Sequence, residues 1–138
     1  MGDPCGNIIE EAVNPYAFII LENEIRDTAK ETFGYFASQG VDIVVISGDN
    51  PVTASKVAVR AGINNAENYI DATTLKSRQD IREAITKYTV FGRVVPSQKK
   101  EIIEAYKESG KVVAMTGDGV NDVLALKCAD CSVAMASG

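Results

Sequence analysis

A chain of 138 residues, 46% hydrophobic and 24% charged, has the composition of one soluble globular domain large enough to bury a real core. Its net charge of -5, with no basic stripe, argues against a nucleic-acid partner, and no apolar run approaches a membrane span or a signal peptide. The absence of histidine excludes Ser-His-Asp and Cys-His catalysis and histidine-based zinc sites, and three cysteines suit a reducing, cytosolic setting better than a secreted disulfide scaffold.

In chain order, the first sixteen residues read as a loosely organised lead-in, and residues 17 to 138 as one domain. Ala17 to Leu21 has the pattern of a buried strand. Arg26 to Gln39 is predicted as a helix stopped by Gly40, with Ala29, Phe33, Phe36 and Ala37 on one face. Val41 to Ile46 reads as a strand. Asn50 as N-cap and Pro51 as first helical residue start a helix running to about Ala61 and ending at Gly62. Tyr69 to Ala72 reads as a short strand, Ser77 to Tyr88 as a helix, and Thr89 to Val94 as a strand. A helix opens at Pro96 and closes at Gly110. The pattern then gives a strand over Lys111 to Met115, a helix over Asn121 to Lys127, and a strand over Cys131 to Met135. Such alternation implies an α/β fold with a parallel sheet covered by helices on both faces. Ligands of such folds bind beyond the carboxyl ends of the strands, where Asn23 to Arg26, Ser47 to Asn50 and Thr116 to Asp122 are expected to meet.

The segment Thr116-Gly117-Asp118-Gly119-Val120-Asn121-Asp122 carries the chemistry. Gly117 and Gly119 let a backbone approach a phosphate closely, and N–H groups at the following helix start attract anions. Asp118 and Asp122 are hard oxygen ligands, and carboxylates beside a phosphate call for a cation between them, for which magnesium is the natural choice. A plain Gly-Asp turn capped by Asn121 is the structural alternative. A dinucleotide site fits poorly, because Asp122 stands where that fingerprint needs its third glycine. In Ser47-Gly48-Asp49 a hydroxyl can donate to a phosphoryl oxygen and Gly48 permits close approach; read alone, the segment serves equally as a helix N-cap region. Lys99 offers a point charge suited to a phosphoryl group, although a lone helical lysine is usually solvated surface. Cys128 and Cys131, without a second pair or a histidine, read as packing residues.

Together these motifs resemble those of P-type cation-pumping ATPases. Met115 to Asp122, followed by Ala125-Leu126-Lys127, resembles the hinge motif of that family; Ser47-Gly48-Asp49-Asn50 resembles its Thr/Ser-Gly-Asp motif. Phe91-Gly92-Arg93-Val94-Val95-Pro96-Ser97-Gln98-Lys99 resembles the segment with the essential lysine, and Asn23-Glu24-Ile25-Arg26 the Asp-x-x-Arg segment. Order and spacing match across residues 17 to 138. The resemblance implies a Rossmannoid, haloacid-dehalogenase-like phosphorylation domain. It implies Asp118 as magnesium ligand supported by Asp122 and Asn121, Lys99 and Ser47 on the phosphoryl group with Asp49 nearby, and Arg26 and Arg93 close to a nucleotide. The implied parent uses ATP and magnesium, passes through an aspartyl phosphate, and joins this domain to nucleotide-binding, actuator and transmembrane domains on the cytoplasmic face of a membrane.

Three positions depart from the family pattern. Asn23 replaces an aspartate, Cys128 replaces a common glutamate, and no Asp-Lys-Thr-Gly-Thr motif is present; Asp3-Pro4-Cys5-Gly6-Asn7 copies only its aspartate and glycine spacing. Without the phosphorylated aspartate the chain reads as a fragment whose missing strand would lie centrally, between Val41–Ile46 and Lys111–Met115. Those two either pair with each other or leave edges open to self-association. The alternatives are a free-standing phosphatase of the same superfamily, which requires an early Asp-x-Asp absent here, and a non-catalytic interaction domain. Val123-Leu124-Ala125-Leu126 resembles a bacterial branch of the pumps, and the choice of cation belongs to transmembrane helices outside this sequence.

Overall fold

The computed structural model describes residues 16, 17, 19, 24–118 and 120–135. The strand expected over Ala17 to Leu21, the lead-in before it, Asn23 and Gly119 lie largely or wholly outside the described residues. Ten regular elements follow: α1 (Ala29–Ser38), β1 (Val45–Ile46), α2 (Pro51–Ala61), β2 (Tyr69–Asp71), α3 (Arg78–Ala84), β3 (Val90–Gly92), α4 (Pro96–Glu108), β4 (Ala114–Gly117), α5 (Val123–Cys128) and β5 (Cys131–Ala134).

Local chemistry fixes the helix ends. The Asn50 side chain accepts from the Val52 N–H at 3.0 Å, Pro51 supplies the first helical φ, and Gly62 closes α2 in the left-handed region at φ 87. Ser77 and Asp80 form a reciprocal capping box at the start of α3. The Gln98 amide holds the start of α4: its oxygen accepts from the Val95 N–H at 3.3 Å and its nitrogen donates to the Ala72 carbonyl at 3.0 Å. α1 starts three residues later than expected, because Arg26 to Thr28 form a turn first, the Arg26 carbonyl accepting from the Ala29 N–H.

Every strand pairing is parallel, as expected for this fold class, but the strands form two sheets rather than one: β1-β3-β2 and β4-β5. Val45 and Ile46 sit opposite Val90 and Phe91; Ala114 to Gly117 sit opposite Cys131 to Ala134. β1 and β4, which flank the position of the expected missing strand, do not pair with each other. The core has two parts. One gathers Ile81, Phe91, Val94, Ile102 and Ala105 between the first sheet and α3 and α4; the other gathers Ala54, Ala58, Ile63, Ala66 and Val90 beneath α2. Both faces of the first sheet are therefore covered, which accounts for its near-continuous apolar strands.

Asp130 joins the second sheet to α4. Its carboxylate takes a hydrogen bond from the Val113 N–H at 2.9 Å and an ion pair from Lys107 at 2.9 Å, and its own N–H donates to the Val113 carbonyl at 2.8 Å. The Lys107 hydrogen bond, and after it the Val113 N–H, hold the Asp130 carboxyl below the usual carboxylate range. A depressed folded pKa contributes stability above the unfolded value, near 4, and that contribution is lost as pH falls through the folded value. Asp130→Asn should therefore lower stability at neutral pH and flatten its decline below about pH 4, read from urea midpoints across the acid range. An unaltered acid limb would count against this role.

Candidate functional site

The loop after β1 is built onto the end of β3. Ser47 N–H donates to the Phe91 carbonyl at 2.9 Å, Val94 N–H to the Ser47 carbonyl at 3.0 Å, and Arg93 N–H to the Asp49 carbonyl at 2.7 Å. Within the loop the Ser47 hydroxyl donates to Asp49 Oδ2 and accepts from the Asp49 N–H, both at 3.1 Å. Asp49 thus holds the orientation of the hydroxyl. A Cβ at Gly48 would meet nothing closer than the Val94 carbonyl at 3.9 Å, so this glycine leaves its surroundings open.

The second loop follows β4. Val120 to Asp122 form a 3₁₀ turn that leads into α5, rather than the continuous helix expected from Asn121. Asp122 is buried, 7% exposed, and its Oδ1 accepts from Lys99 Nζ at 2.6 Å. The two side chains are 14% and 10% exposed, so the pair is largely withdrawn from water. A Cβ on Gly117 would come within 2.8 Å of Asp122 Cβ and Oδ2, so glycine is what allows this carboxylate to fold back against the strand end. Asp118 and Asn121 are exposed.

The remaining candidates are placed differently. Arg93 has a left-handed backbone, φ 53, and donates from NH1 to Asp71 Oδ2 at 2.7 Å. Asp71 also accepts from the Thr73 hydroxyl at 2.7 Å and the Thr73 N–H at 3.0 Å, and these bonds, ahead of Arg93, hold its carboxyl below the ordinary range. Arg26 is exposed at the turn before α1, and among the described residues no hydrogen bond or ion pair joins it to the rest of the set. Asp71 was not singled out from sequence. Its signal was the Asp71-Ala72-Thr73 turn at a strand end, an aspartate bonding to the backbone two residues on.

Chemically, the ends of β1, β3 and β4 present an oriented hydroxyl, a desolvated lysine–aspartate pair and an exposed carboxylate. Among the described residues no three acidic or sulfur side chains cluster as a ready-made metal cage. A magnesium ion needs only one or two protein oxygens, with water and phosphate oxygens completing its shell, so the lack of such a cage does not decide for or against one.

A family model for haloacid dehalogenase-like hydrolases matches residues 5–130. The chain belongs to that family. Within it, the chain matches P-type cation-transporting ATPases. It is 50% identical over 127 residues to the calcium-transporting ATPase CtpE of Mycobacterium tuberculosis, covering 91% of this chain and 16% of that protein. It is 44% identical over 126 residues to the probable cation-transporting ATPase exp7 of Streptococcus pneumoniae, again covering 91% of this chain and 16% of the relative. Among solved structures it is similar to the catalytic domain of the CPx-ATPase CopB-B, with a TM-score of 0.60 at 28% identity, over 82% of this chain and 35% of that one. The haloacid dehalogenase-like chain thus spans about one sixth of the length of these curated relatives, 16% in each case. None of its described helices is long and apolar enough to cross a membrane.

Proposed function

We propose that this haloacid dehalogenase-like chain is part of the phosphorylation domain of an ATP-driven cation pump, with residues 17–138 as its folded unit. The observation that carries this reading is the buried Lys99–Asp122 pair at 2.6 Å, set beside the Thr116–Asp122 loop. In water such a pair is worth little; withdrawn from water it is a charge device held ready for an anionic ligand. In this reading Lys99 transfers part of its interaction from Asp122 to a phosphoryl oxygen, while Ser47 turns its hydroxyl from Asp49 to a second oxygen. Asp118, with Asp122, holds magnesium, which when bound balances phosphoryl charge. Gly48 and Gly117 let the backbone come close, as the sequence expects also of Gly119, Asn121 would support the phosphate end, and Arg93 and Arg26 would serve the nucleotide. Arg93 reaches it only by leaving Asp71.

The aspartate that receives the phosphoryl group belongs to another part of the parent pump, as do the ATP-binding, actuator and transmembrane domains that would be its partners at the cytoplasmic face. The test is a magnesium titration of the chain with inorganic phosphate present, followed by calorimetry. Weak binding that drops at least about tenfold in Asp118→Ala supports the reading. Binding unaffected by Asp118→Ala removes Asp118 from the metal site, and no binding of either ion favours a non-catalytic interaction domain.

A further inference from the structure

The turn after β2 divides the two oxygens of one carboxylate between two tasks. Asp71, the last residue of β2, caps the short turn Ala72–Thr74: its Oδ1 accepts from the Thr73 N–H at 3.0 Å and from the Thr73 hydroxyl at 2.7 Å. With Oδ1 committed to the turn, Oδ2 takes the Arg93 NH1 donor at 2.7 Å. Asp71 lies opposite Gly92 in the β2–β3 register, so Arg93 is the first residue beyond that pairing and reaches across to the neighbouring strand end.

Arg93 is fixed from the other side as well. Its N–H donates to the Asp49 carbonyl at 2.7 Å, in the loop that carries Ser47, and its φ of 53 lies in the left-handed region that few non-glycine residues adopt. Such a backbone persists only where surrounding contacts over-determine it. The turn after β2 also holds the far end of the segment that leads to Lys99. The carbonyl of Ala72, a fully buried residue, accepts from Gln98 Nε2 at 3.0 Å, and Gln98 Oε1 accepts from the Val95 N–H at 3.3 Å. Asp71 and Ala72 thus grip the strand-to-helix segment at Arg93 and at Gln98, one residue before Lys99.

The contacts differ in how readily they open. The Arg93 and Asp71 side chains are 52% and 26% exposed, whereas those of Lys99 and Asp122 are 14% and 10% exposed. An ion pair open to water is weak, and a planar guanidinium exchanges one oxyanion for another easily. Arg93 is therefore the cation that a ligand can draw away without dismantling the turn, because the Thr73 bonds use the other oxygen of Asp71.

We propose that Asp71 is a positioning residue that withholds Arg93 from a phosphate-bearing ligand and, by competing for its guanidinium, sets how tightly that ligand is held. The ligand is the nucleotide of the reading above, on which this inference rests. Asp71 acts through Arg93 and not on the ligand. In Asp71→Asn the side-chain oxygen still accepts from the Thr73 N–H, and only the competing charge is lost.

The test is a titration of the full chain with ADP, magnesium omitted, followed by nuclear magnetic resonance. Asp71→Asn is expected to bind ADP about three- to fivefold more tightly than the wild type, the range set by release of an exposed ion pair. In an Arg93→Gln background the same substitution should change ADP affinity by less than about 1.5-fold, because no guanidinium is left to release. In the wild-type chain ADP should shift the Arg93 side-chain and Asp71 carboxyl resonances together, a reading that needs no variant to fold. A residue that only shapes the turn would alter affinity equally in both backgrounds, and that result overturns the proposal. Unchanged or weaker binding in Asp71→Asn overturns it too, as does an Arg93 signal that ADP leaves in place. Because magnesium is left out, Asp118 plays no part. A lost magnesium response with the ADP coupling intact counts against the magnesium site alone, and the reverse pattern against Asp71 alone.

Discussion

Lys99→Ala is expected to destabilise the chain by about 3 kcal/mol, because it leaves the Asp122 carboxylate buried without its cation. The pair is 2.6 Å long and both side chains are nearly withdrawn from solvent, so the loss is not that of a surface ion pair. Removing both charges should cost less than removing one. In Lys99→Met combined with Asp122→Asn, no uncompensated charge remains, and the double variant is expected to be more stable than Lys99→Ala. Urea unfolding of Lys99→Met, Asp122→Asn and their combination, analysed as a double-mutant cycle, gives the coupling directly. A loss below 0.5 kcal/mol for Lys99→Ala, in the range of exposed pairs, would show that water reaches the pair freely.

Gly92→Ala should be at least as damaging, by about 3 kcal/mol or by failure to fold. Gly92 ends β3, the middle strand of its sheet, and a Cβ there would lie 2.3 Å from Pro51 Cα and 2.5 Å from Pro51 N. The obstacle is backbone at the first turn of α2, which has no rotamer to change. Relief requires α2 to lift off β3, and α2 begins immediately after the Ser47–Asn50 loop. Any folded Gly92→Ala protein should therefore also show a disturbed Ser47–Asp49 hydrogen bond, read as shifted resonances of those two residues. A variant with wild-type stability would mean that the close contact is not maintained in solution.

The parts legible in the sequence were those governed by neighbours along the chain. Asn50, Pro51 and Gly62 bound α2 as expected, because capping is decided within a few residues. Strand lengths were overestimated: six residues were expected from Val41 to Ile46, and only Val45 and Ile46 pair. An apolar run records burial, whereas a strand also needs an edge beside it, and residues 41–44 have none among the described residues. Division into two sheets was invisible for the same reason. At the site, the glycines and aspartates of Thr116–Asp122 were recognisable by type and spacing. That Lys99 would be held by Asp122, and Arg93 by Asp71, depends on contacts across 23 and 22 residues that no local pattern encodes.

The pairing partners also set an order of assembly. β4 reaches β5 across a short helical crossover, Ala114 meeting Cys131, and β2 reaches β3 almost as locally, Tyr69 meeting Val90. β1 instead waits for Val90, with α2, β2 and α3 all intervening. Closing longer loops costs more chain entropy, and non-local contacts repay it only late in folding. The hydroxyl of Ser47, fixed by the β1–β3 junction, is thus among the last polar groups to find its place, and nascent chains lack it until residue 94 has emerged and docked.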